Sequence, residues 1–534
     1  MSHISLSVSE GNPVTPDVLR STLTSLSNEP LQLRDEDIAD YTAIMAGAHE
    51  VFQKIIDMED YVPQVDLQRF SRTDVHRPDA SENKTNAWAW KASIKGEAPG
   101  GLLAGRSVCL KDNIAVKDVP CLLGTEVISD WTPNTDATVV NRVLEAGGHV
   151  TGKAVCENLS YFGASISAPT GPIHNVHAKG YSAGGSSTGC AVLVAAGECD
   201  LAVGGDQGGS IRLPAAHNGV VGMKPTHGLC PYTGIVLLES TIDTTGPITR
   251  DVMDNALLLR IMAGADGIDD RQQAGCPLPA QVPDYAAIAT QGVKGLRIAI
   301  VEESLSGPLH DERYATMVVE AASKLEKLGA KVERVSIPDV LLAPDLWMVI
   351  ARLSAVQNMT GRACGRRSLY MNDYTRKWLP LTQDKLDKMW PSAVVTLTNG
   401  LYGWEHMDPT LMGKTMNLSR RVRDSVDAAL SKYDLIITPT MVRLPARIDN
   451  AHAGMTPLDK MGYAAGVGLN TCPYSLTGHP AISIPVGMLS PTDDPSARLP
   501  VGMQIVGKFY DEGTIYRAAY AWEQANDWTR VIGA

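Results

Sequence analysis

A glycine-rich run of the chain carries a serine in a setting suited to nucleophilic attack. The run Asp-Gln-Gly-Gly-Ser occupies residues 206–210. Two glycines directly before a serine allow successive backbone N–H groups to turn toward one point, as a tetrahedral oxyanion requires. An isolated Gly-Gly-Ser is more often an ordinary turn, but a second glycine-rich run with paired serines precedes this one at residues 180–189. We therefore interpret Ser210 as the candidate nucleophile.

The base that would activate this serine is predicted to be a lysine. None of the twelve histidines lies in a recognisable triad context, whereas Lys111 ends the apolar run 108–111. A lone strand-end lysine is usually a snorkelling or paired surface residue, but the apolar run predicts burial here. Burial disfavours the ammonium form, so a lysine that ordinarily titrates near ~10.4 becomes a proton acceptor at lower pH. Ser186 is then interpreted as the bridge that carries a proton from Ser210 to Lys111.

Charged and hydroxyl residues beside these candidates are interpreted as structural. Asp206 and Arg212 flank the candidate nucleophile with opposite charges, and we expect them to pair and fix the loop. Ser187 is expected to cap the helix that begins near Gly189. None of these side chains is predicted to react.

Three further patterns are predicted to carry no reacting group. Residues 185–189 match the Gly-x-Ser-x-Gly elbow of α/β-hydrolases, but no buried strand directly precedes them. His174 and His177 stand close together without a third ligand nearby in sequence, so no metal site is predicted. Four tryptophans are expected to form the core of a helical region, although some of them are suitable for roofing a substrate pocket. They are Trp347, Trp378, Trp390 and Trp404.

Alternating strands and helices are predicted to position these residues. Between residues 105 and 203, short apolar runs alternate with helical segments, which indicates an α/β layer architecture. Core-like apolar runs return after residue 295 and again near the C-terminus. The predicted strands are Ser107–Leu110, Leu201–Val203, Leu296–Val301, Asp434–Ile437, Ala481–Val486 and Val501–Val506, with a further strand at Val150.

Residues 1–95 are predicted to form an N-terminal helical domain. Thr15 is placed to cap a first helix, and residues 35–58 show the apolar stripe of a second, amphipathic helix. The polar stretch 72–86 is interpreted as a linker. Because the second helix presents its apolar stripe outside the catalytic core, we expect it to support a homodimer, with packing on its own core as the alternative.

The rest of the chain is predicted to hold a core with an insertion, because 534 residues exceed one ordinary domain. Residues 96–335 and 430–534 are assigned to the catalytic core. Residues 336–429, where tryptophan, methionine, tyrosine and arginine replace the strand pattern, are assigned to an inserted small helical domain.

Composition and charge exclude several classes of protein. A net charge of −12 opposes a nucleic-acid partner, because phosphate binding requires a basic stripe. No segment has the uninterrupted apolar length of a membrane helix, and the first residues lack the apolar run of a signal peptide, so a cytoplasmic location is expected. The nine cysteines contain no Cys-x-x-Cys pair and are predicted to be reduced. A small neutral substrate suits this composition.

The sequence resembles the amidase-signature family, in which a catalytic lysine, a bridging serine and a nucleophilic serine follow one another in this order. The likeness runs from about residue 103 to residue 226 and returns in three later segments. The spacings agree with the family pattern: 186 − 111 = 75 positions separate Lys111 from Ser186, and 210 − 186 = 24 separate Ser186 from Ser210.

Within the family, the run Gly-Gly-Asp-Gln-Gly-Gly-Ser-Ile-Arg most resembles the amidases that accompany nitrile hydratase in bacteria, which also carry an N-terminal helical domain. Thr188 and Gly205 depart from the family pattern without removing a reacting group. The resemblance implies an α/β fold with a mixed central sheet covered by helices on both faces, and a cis peptide between Gly185 and Ser186. It also implies an oxyanion hole built from the N–H groups of Gln207, Gly208, Gly209 and Ser210.

The activity implied by the resemblance is hydrolysis of a small carboxylic acid amide to the acid and ammonia or an amine. Neutral Lys111 takes the proton of Ser186, Ser186 takes that of Ser210, and Ser210 forms an acyl-enzyme. No metal or organic cofactor is expected. A urethanase that cleaves carbamates with the same residues is an open alternative. The intact set of reacting residues opposes a non-catalytic relative, and the N-terminal helices oppose the amidase component of a tRNA-dependent assembly.

Overall fold

The computed structural model describes residues 8–27, 30–98, 100–451 and 454–533. Within it the chain divides into two compact units, which are residues 1–64 and 65–534. The sequence places the end of the N-terminal helical domain at residue 95, whereas the strands that lie between residues 65 and 95 belong to the second unit and pair within its sheet.

The first unit contains two helices, α1 (Pro16–Thr24) and α2 (Ile38–Ile56). Thr15 caps α1 as the sequence predicts, because its hydroxyl accepts a backbone N–H of the first turn. The Asn12 amide donates to a carboxylate oxygen of Glu50 on α2 at 2.5 Å. This contact holds the segment before α1 against α2.

A mixed sheet of twelve strands organises the second unit over its described residues. Its spatial order is β1-β2-β4-β3-β5-β7-β6-β11-β12-β10-β8-β9. Parallel pairing joins β3 to β4 and β5, and β8 to β9 and β10; the other neighbours are antiparallel. The strands are β1 Thr73–His76, β2 Trp88–Lys95, β3 Ser107–Lys111, β4 His149–Ala154, β5 Leu201–Asp206, β6 Val221–Lys224, β7 Thr244–Thr249, β8 Arg297–Val301, β9 Lys331–Val335, β10 Leu435–Pro439, β11 Ala481–Leu489 and β12 Leu499–Val506.

Helices cover both faces of this sheet, as the predicted fold class requires. Every residue of β5, β6, β7, β10 and β12 is buried, which happens only where a sheet is covered on both sides. No helix of the described residues is long and apolar enough to cross a membrane. The helices are α3 Thr138–Glu145, α4 Thr188–Ala195, α5 Arg212–Asn218, α6 Val252–Met262, α7 Tyr285–Ala289, α8 Glu312–Lys327, α9 Ala343–Met359, α10 Asn372–Trp378, α11 Gln383–Asp387, α12 Pro391–His406, α13 Leu411–Lys432, α14 Pro457–Gly462, α15 Cys472–Thr477 and α16 Glu512–Ala525.

The region predicted as a helical insertion is helical and lies within the second unit. Helices α9 to α13 fill it. Two of its tryptophans tie the helices together: Trp404 donates its indole N–H to the Leu353 carbonyl at 2.7 Å, and Trp378 donates to the Met359 carbonyl at 2.6 Å. Both indole donors find a backbone acceptor; Trp378 is buried in the core, as expected, whereas Trp404 is 43% exposed.

Two parallel strands at the centre of the sheet bring the candidate residues together. Leu110 of β3 pairs with Val203 of β5, so Lys111 emerges beside the end of β5. Residues 207–210 continue directly from β5 into α5. Because the carboxyl ends of parallel strands lie at one edge of a sheet, Lys111 and the glycine-rich run meet there.

Candidate active site

Lys111 and Ser186 form a direct contact in the interior of the second unit. Lys111 is fully buried, and its Nζ donates to Ser186 Oγ at 2.8 Å and to the Gly205 carbonyl at 3.3 Å. The Gly185–Ser186 peptide bond is cis. The sequence-predicted base and bridge, 75 positions apart in the chain, are thus neighbours.

Burial lowers the pKa of Lys111 from its ordinary value. Cys156, Cys190, Asp206 and Asp243 raise this pKa in turn, and the effect of the two carboxyls is limited. Asp206 is neutralised by its own ion pair with Arg212. Burial raises the pKa of Asp243 to about 7, so this carboxyl is partly protonated at neutral pH. Desolvation therefore outweighs these groups at Lys111, and the neutral amine is more accessible than in an exposed lysine.

Ser210 lies on the wall of a cavity of about 380 Å³. It is 9% exposed, and its carbonyl accepts the Ser187 N–H at 3.1 Å. Among the hydrogen bonds of the described residues, none joins the hydroxyls of Ser210 and Ser186. The structure thus brings Lys111 and Ser186 into contact, and places Ser210 next to them through the backbone of Ser187.

A buried ion pair holds the loop that carries Ser210, as the sequence predicts. Asp206 and Arg212 are both fully buried and make two hydrogen bonds to each other, at 2.9 and 3.0 Å. Arg212 also donates to Gln504 Oε1 at 2.7 Å and to Ser475 Oγ at 2.8 Å. The pair therefore ties the glycine-rich loop to β12 and α15.

Replacing Arg212 with methionine is expected to lower the free energy of unfolding by about 3–5 kcal/mol, because it leaves the Asp206 carboxylate buried and unpaired. Urea denaturation followed by circular dichroism measures this. The control is Arg530→Met, which removes an exposed ion pair with Asp527 and should change the free energy of unfolding by less than about 1 kcal/mol. Equal effects of the two substitutions would contradict a structural role for the buried pair.

The glycines of the loop are required by close contacts. A Cβ on Gly208 would lie 2.7 Å from the Trp347 ring, and one on Gly209 would lie 2.3 Å from Thr471 Oγ1. Gly209 also has φ +140°, which other residues rarely adopt. These contacts explain why the sequence carries two glycines before Ser210.

One predicted oxyanion-hole donor is already used. The Gly209 N–H donates to Asp206 Oδ1 at 2.7 Å, because the aspartate side chain folds back over the loop. Over the described residues, the N–H groups of Gln207, Gly208 and Ser210 donate to no protein acceptor in any hydrogen bond. Three of the four predicted donors are therefore available to a ligand.

Sequence reasoning did not identify the side chains that hold this loop from outside. Trp347 of α9 donates its indole N–H to the Gln207 carbonyl at 2.7 Å, and Thr471 donates to the Gly208 carbonyl at 2.5 Å. Tyr232 accepts a hydrogen bond from the Gln207 side chain at 3.1 Å. Spacing along the chain gives no signal for these contacts, except that Trp347 belongs to the tryptophan cluster suited to roofing a pocket.

The expected capping role of Ser187 is wrong. Ser187 occupies the residue before α4, but its side chain makes no capping hydrogen bond. The hydroxyl instead donates to the Gly205 carbonyl at 3.0 Å and accepts the Gly205 N–H at 3.1 Å. It thereby fastens the paired serines to β5. Among the described residues, no group of three or more His, Cys, Asp or Glu side chains is arranged to hold a metal ion.

Comparison with known proteins finds amidases and related amidotransferases. A family model described as Amidase matches residues 71–516, a range that contains Lys111, Ser186 and Ser210. An enantioselective amidase from Rhodococcus rhodochrous is 38% identical and covers 84% of both chains. A component of the glutamyl-tRNA(Gln) amidotransferase from Moorella thermoacetica is 34% identical over 82% of this chain and 86% of its own. The crystal structure of a bacterial aryl acylamidase of the amidase signature enzymes family has a TM-score of 0.67 and 25% identity, covering 80% of this chain and 84% of that one.

Proposed function

The chain belongs to the amidase-signature family of C–N hydrolases, and we propose that it hydrolyses a small carboxylic acid amide to the acid and ammonia or an amine through an acyl-enzyme on Ser210. The observation that carries this proposal is the contact of 2.8 Å between the buried Lys111 amine and Ser186 Oγ. A desolvated amine hydrogen-bonded to a serine hydroxyl can take up a proton from a nucleophile, and Ser210, which lies on the wall of the adjoining cavity, is the proposed nucleophile.

In the first half of the reaction, neutral Lys111 accepts the Ser186 proton and Ser186 accepts the Ser210 proton while Ser210 Oγ attacks the amide carbonyl. The tetrahedral oxyanion accepts hydrogen bonds from the N–H groups of Gln207, Gly208 and Ser210, which donate to no acceptor among the described residues. The relay then returns a proton to the leaving nitrogen, and the C–N bond breaks. Water activated by the same relay attacks the acyl-enzyme and releases the acid.

Ammonia release from a panel of substrates tests this function. The panel contains aliphatic amides, aryl amides and ethyl carbamate, assayed with the purified chain alone. We expect turnover of at least one amide, and a higher kcat/KM for amides than for the carbamate. A higher kcat/KM for the carbamate would instead establish the urethanase alternative. Release of ammonia from glutamine only in the presence of partner proteins would indicate a component of an amidotransferase, and gel filtration of the active material would show those partners.

We also propose that the N-terminal helices support a homodimer. The α2 side chains Phe52, Ile55 and Ile56 are 65%, 62% and 66% exposed, which is unusual for three large apolar groups so close together. Light scattering at micromolar concentration is expected to give twice the mass of the chain, and Phe52→Glu is expected to reduce it to the mass of one chain. The control is Gln53→Glu on the same helix, which leaves the apolar stripe intact. A monomeric wild-type protein would end this proposal.

A further inference from the structure

One guanidinium lies without an ionic partner on the wall of the cavity that holds Ser210. Arg352 of α9 lines this cavity. Within the described part of the chain its side chain makes one hydrogen bond, donated to Thr396 Oγ1, and takes part in no ion pair. The Thr396 hydroxyl donates in turn to the Ser392 carbonyl, so it serves Arg352 only as a neutral acceptor. Most N–H donors of the guanidinium therefore have no protein acceptor.

The neighbours of Arg352 on α9 that line the cavity are apolar and do not compensate its charge. Met348, Ala351 and Ala355 of the same helix line the cavity beside it. Burial lowers the pKa of Arg352 from its ordinary value, yet an arginine keeps its proton in proteins. A partly desolvated cation without a counterion is costly, and an anionic group of a ligand would offset that cost.

Glu239, the other charged residue on the cavity wall, does not fill this role. Its Oε2 accepts the Thr241 N–H at 2.8 Å, and its Oε1 accepts the Ser354 hydroxyl at 2.9 Å. Burial raises the pKa of Glu239, which favours its neutral form. Both oxygens are therefore engaged away from Arg352.

We propose that Arg352 recognises a carboxylate of the substrate, so that the amide cleaved at Ser210 carries a carboxylate separated from the scissile carbonyl by a short apolar chain. This inference rests on the proposed amidase function and specifies its substrate class. It replaces the expectation, drawn from the net charge, that the substrate is neutral. Since that charge is −12, recognition has to come from short-range, charge-assisted hydrogen bonds rather than from long-range attraction.

The geometry of α9 gives the approximate distance between the scissile carbonyl and the substrate carboxylate. Trp347 contacts the loop that carries Ser210, and Arg352 lies five residues further along the same helix. Five residues of helix rise about 7.5 Å, which is the length of a few methylene groups. Arg352 is thus a specificity-determining residue that acts on a part of the substrate remote from the reacting carbonyl.

The test compares carboxylated amides with neutral ones of similar length. Succinamate, glutaramate and adipamate carry the carboxylate on the acyl side, and butanamide, pentanamide and hexanamide are their neutral counterparts. N-Butyrylglycine carries it on the amine side, with N-propylbutanamide as its counterpart. The wild-type enzyme is expected to show at least a ~10-fold higher kcat/KM for the best carboxylated amide than for its counterpart. The series that shows the preference identifies the side of the amide that faces Arg352.

Arg352→Gln is expected to reduce this preference by about 10-fold or more, mainly through KM, and Arg352→Lys is expected to restore part of it. The control is Arg334→Gln, which removes an exposed arginine of β9 remote from the catalytic residues and should leave the preference unchanged. The proposal would be overturned if Arg352→Gln lowered kcat/KM equally for carboxylated and neutral amides. It would also be overturned if the wild-type enzyme showed no preference for carboxylated amides.

Measurements of substrate binding test the role of Arg352 independently of the proposed amidase function. Calorimetry with glutaramate and adipamate on the Ser210→Ala background needs no turnover, and adding Arg352→Gln is expected to weaken binding by about 10-fold or more. Unchanged binding overturns the role of Arg352 even if amides are hydrolysed. Loss of binding without hydrolysis of any amide by the wild-type enzyme supports Arg352 and overturns the proposed function.

Discussion

Replacing Ser210 with alanine is expected to lower kcat/KM for amide hydrolysis by about 10⁴-fold or more, because it removes the proposed nucleophile of the acyl-enzyme. The fold should be retained, since the Ser210 hydroxyl makes no hydrogen bond to another described residue. A fluorophosphonate probe is expected to label Ser210 in the wild-type enzyme, and peptide mapping by mass spectrometry identifies the labelled residue. Circular dichroism and thermal unfolding of the variant check that the lost activity is not lost structure.

The two serines before α4 supply the controls for this experiment. Ser187 holds β5 through two hydrogen bonds to Gly205, so Ser187→Ala should lower stability while Ser210 remains the labelled residue. Ser186→Ala should slow labelling, because the relay to Lys111 is interrupted. A label found on Ser186 or Ser187 in the wild-type enzyme would show that the nucleophile and the bridge are assigned wrongly.

Several inner strands were predictable from sequence because they contain continuous apolar runs. Runs such as β3 and β5 are buried on both faces, and continuous apolar runs of this length are typical of such strands. Two of the strands that sequence reasoning missed lack this pattern. β7 is fully buried but consists of threonines with a glycine, a proline and one isoleucine, and β1 is a polar edge strand inside the stretch interpreted as a linker. Their positions depend on pairing with distant strands.

The candidate reacting residues stood out in the sequence for a different reason. Lys111, Ser186 and Ser210 each lie in a local run of unusual composition, and their order and spacing match a family pattern. The residues that shape the cavity have no such local signal. Trp347 and Arg352 come from α9, more than a hundred positions after Ser210, and only the folded chain shows that they line the same cavity. Substrate preference therefore has to be argued from the structure.

The burial of Lys111 determines how activity is expected to change with pH. Because desolvation lowers the pKa of Lys111, activity should be lost at low pH, where the amine is protonated, and should rise as pH increases through this lowered pKa. Activity should then hold into the alkaline range, with the acid limb below the ordinary lysine value of about 10.4. A pH profile of kcat/KM for the wild-type enzyme measures this limb.

Other buried groups with shifted pKa values have to be distinguished from Lys111. Burial lowers the pKa of Lys224 to about 7 and raises that of Glu157 to about 7. Lys224 donates to the Pro225 carbonyl and makes no contact with the reacting serines, so Lys224→Met is the matched control among buried lysines. The deeply buried histidines do not account for such an acid limb, because burial lowers the pKa of His217 to about 4 and that of His227 to about 3.

Lys111→Ala is expected to lower kcat/KM by about 10²–10⁴-fold and to remove the acid limb, because both the base and the end of the relay are lost. Ser186→Ala should lower kcat/KM by no more than this, since direct but weaker proton transfer from Ser210 to the amine would persist. Lys224→Met should keep the limb at its wild-type position, and Glu157→Gln should keep it as well. If Lys111→Ala retains near-wild-type kcat/KM at neutral pH, or if a histidine substitution removes the acid limb, then Lys111 is not the base and the proton leaves Ser210 by another route.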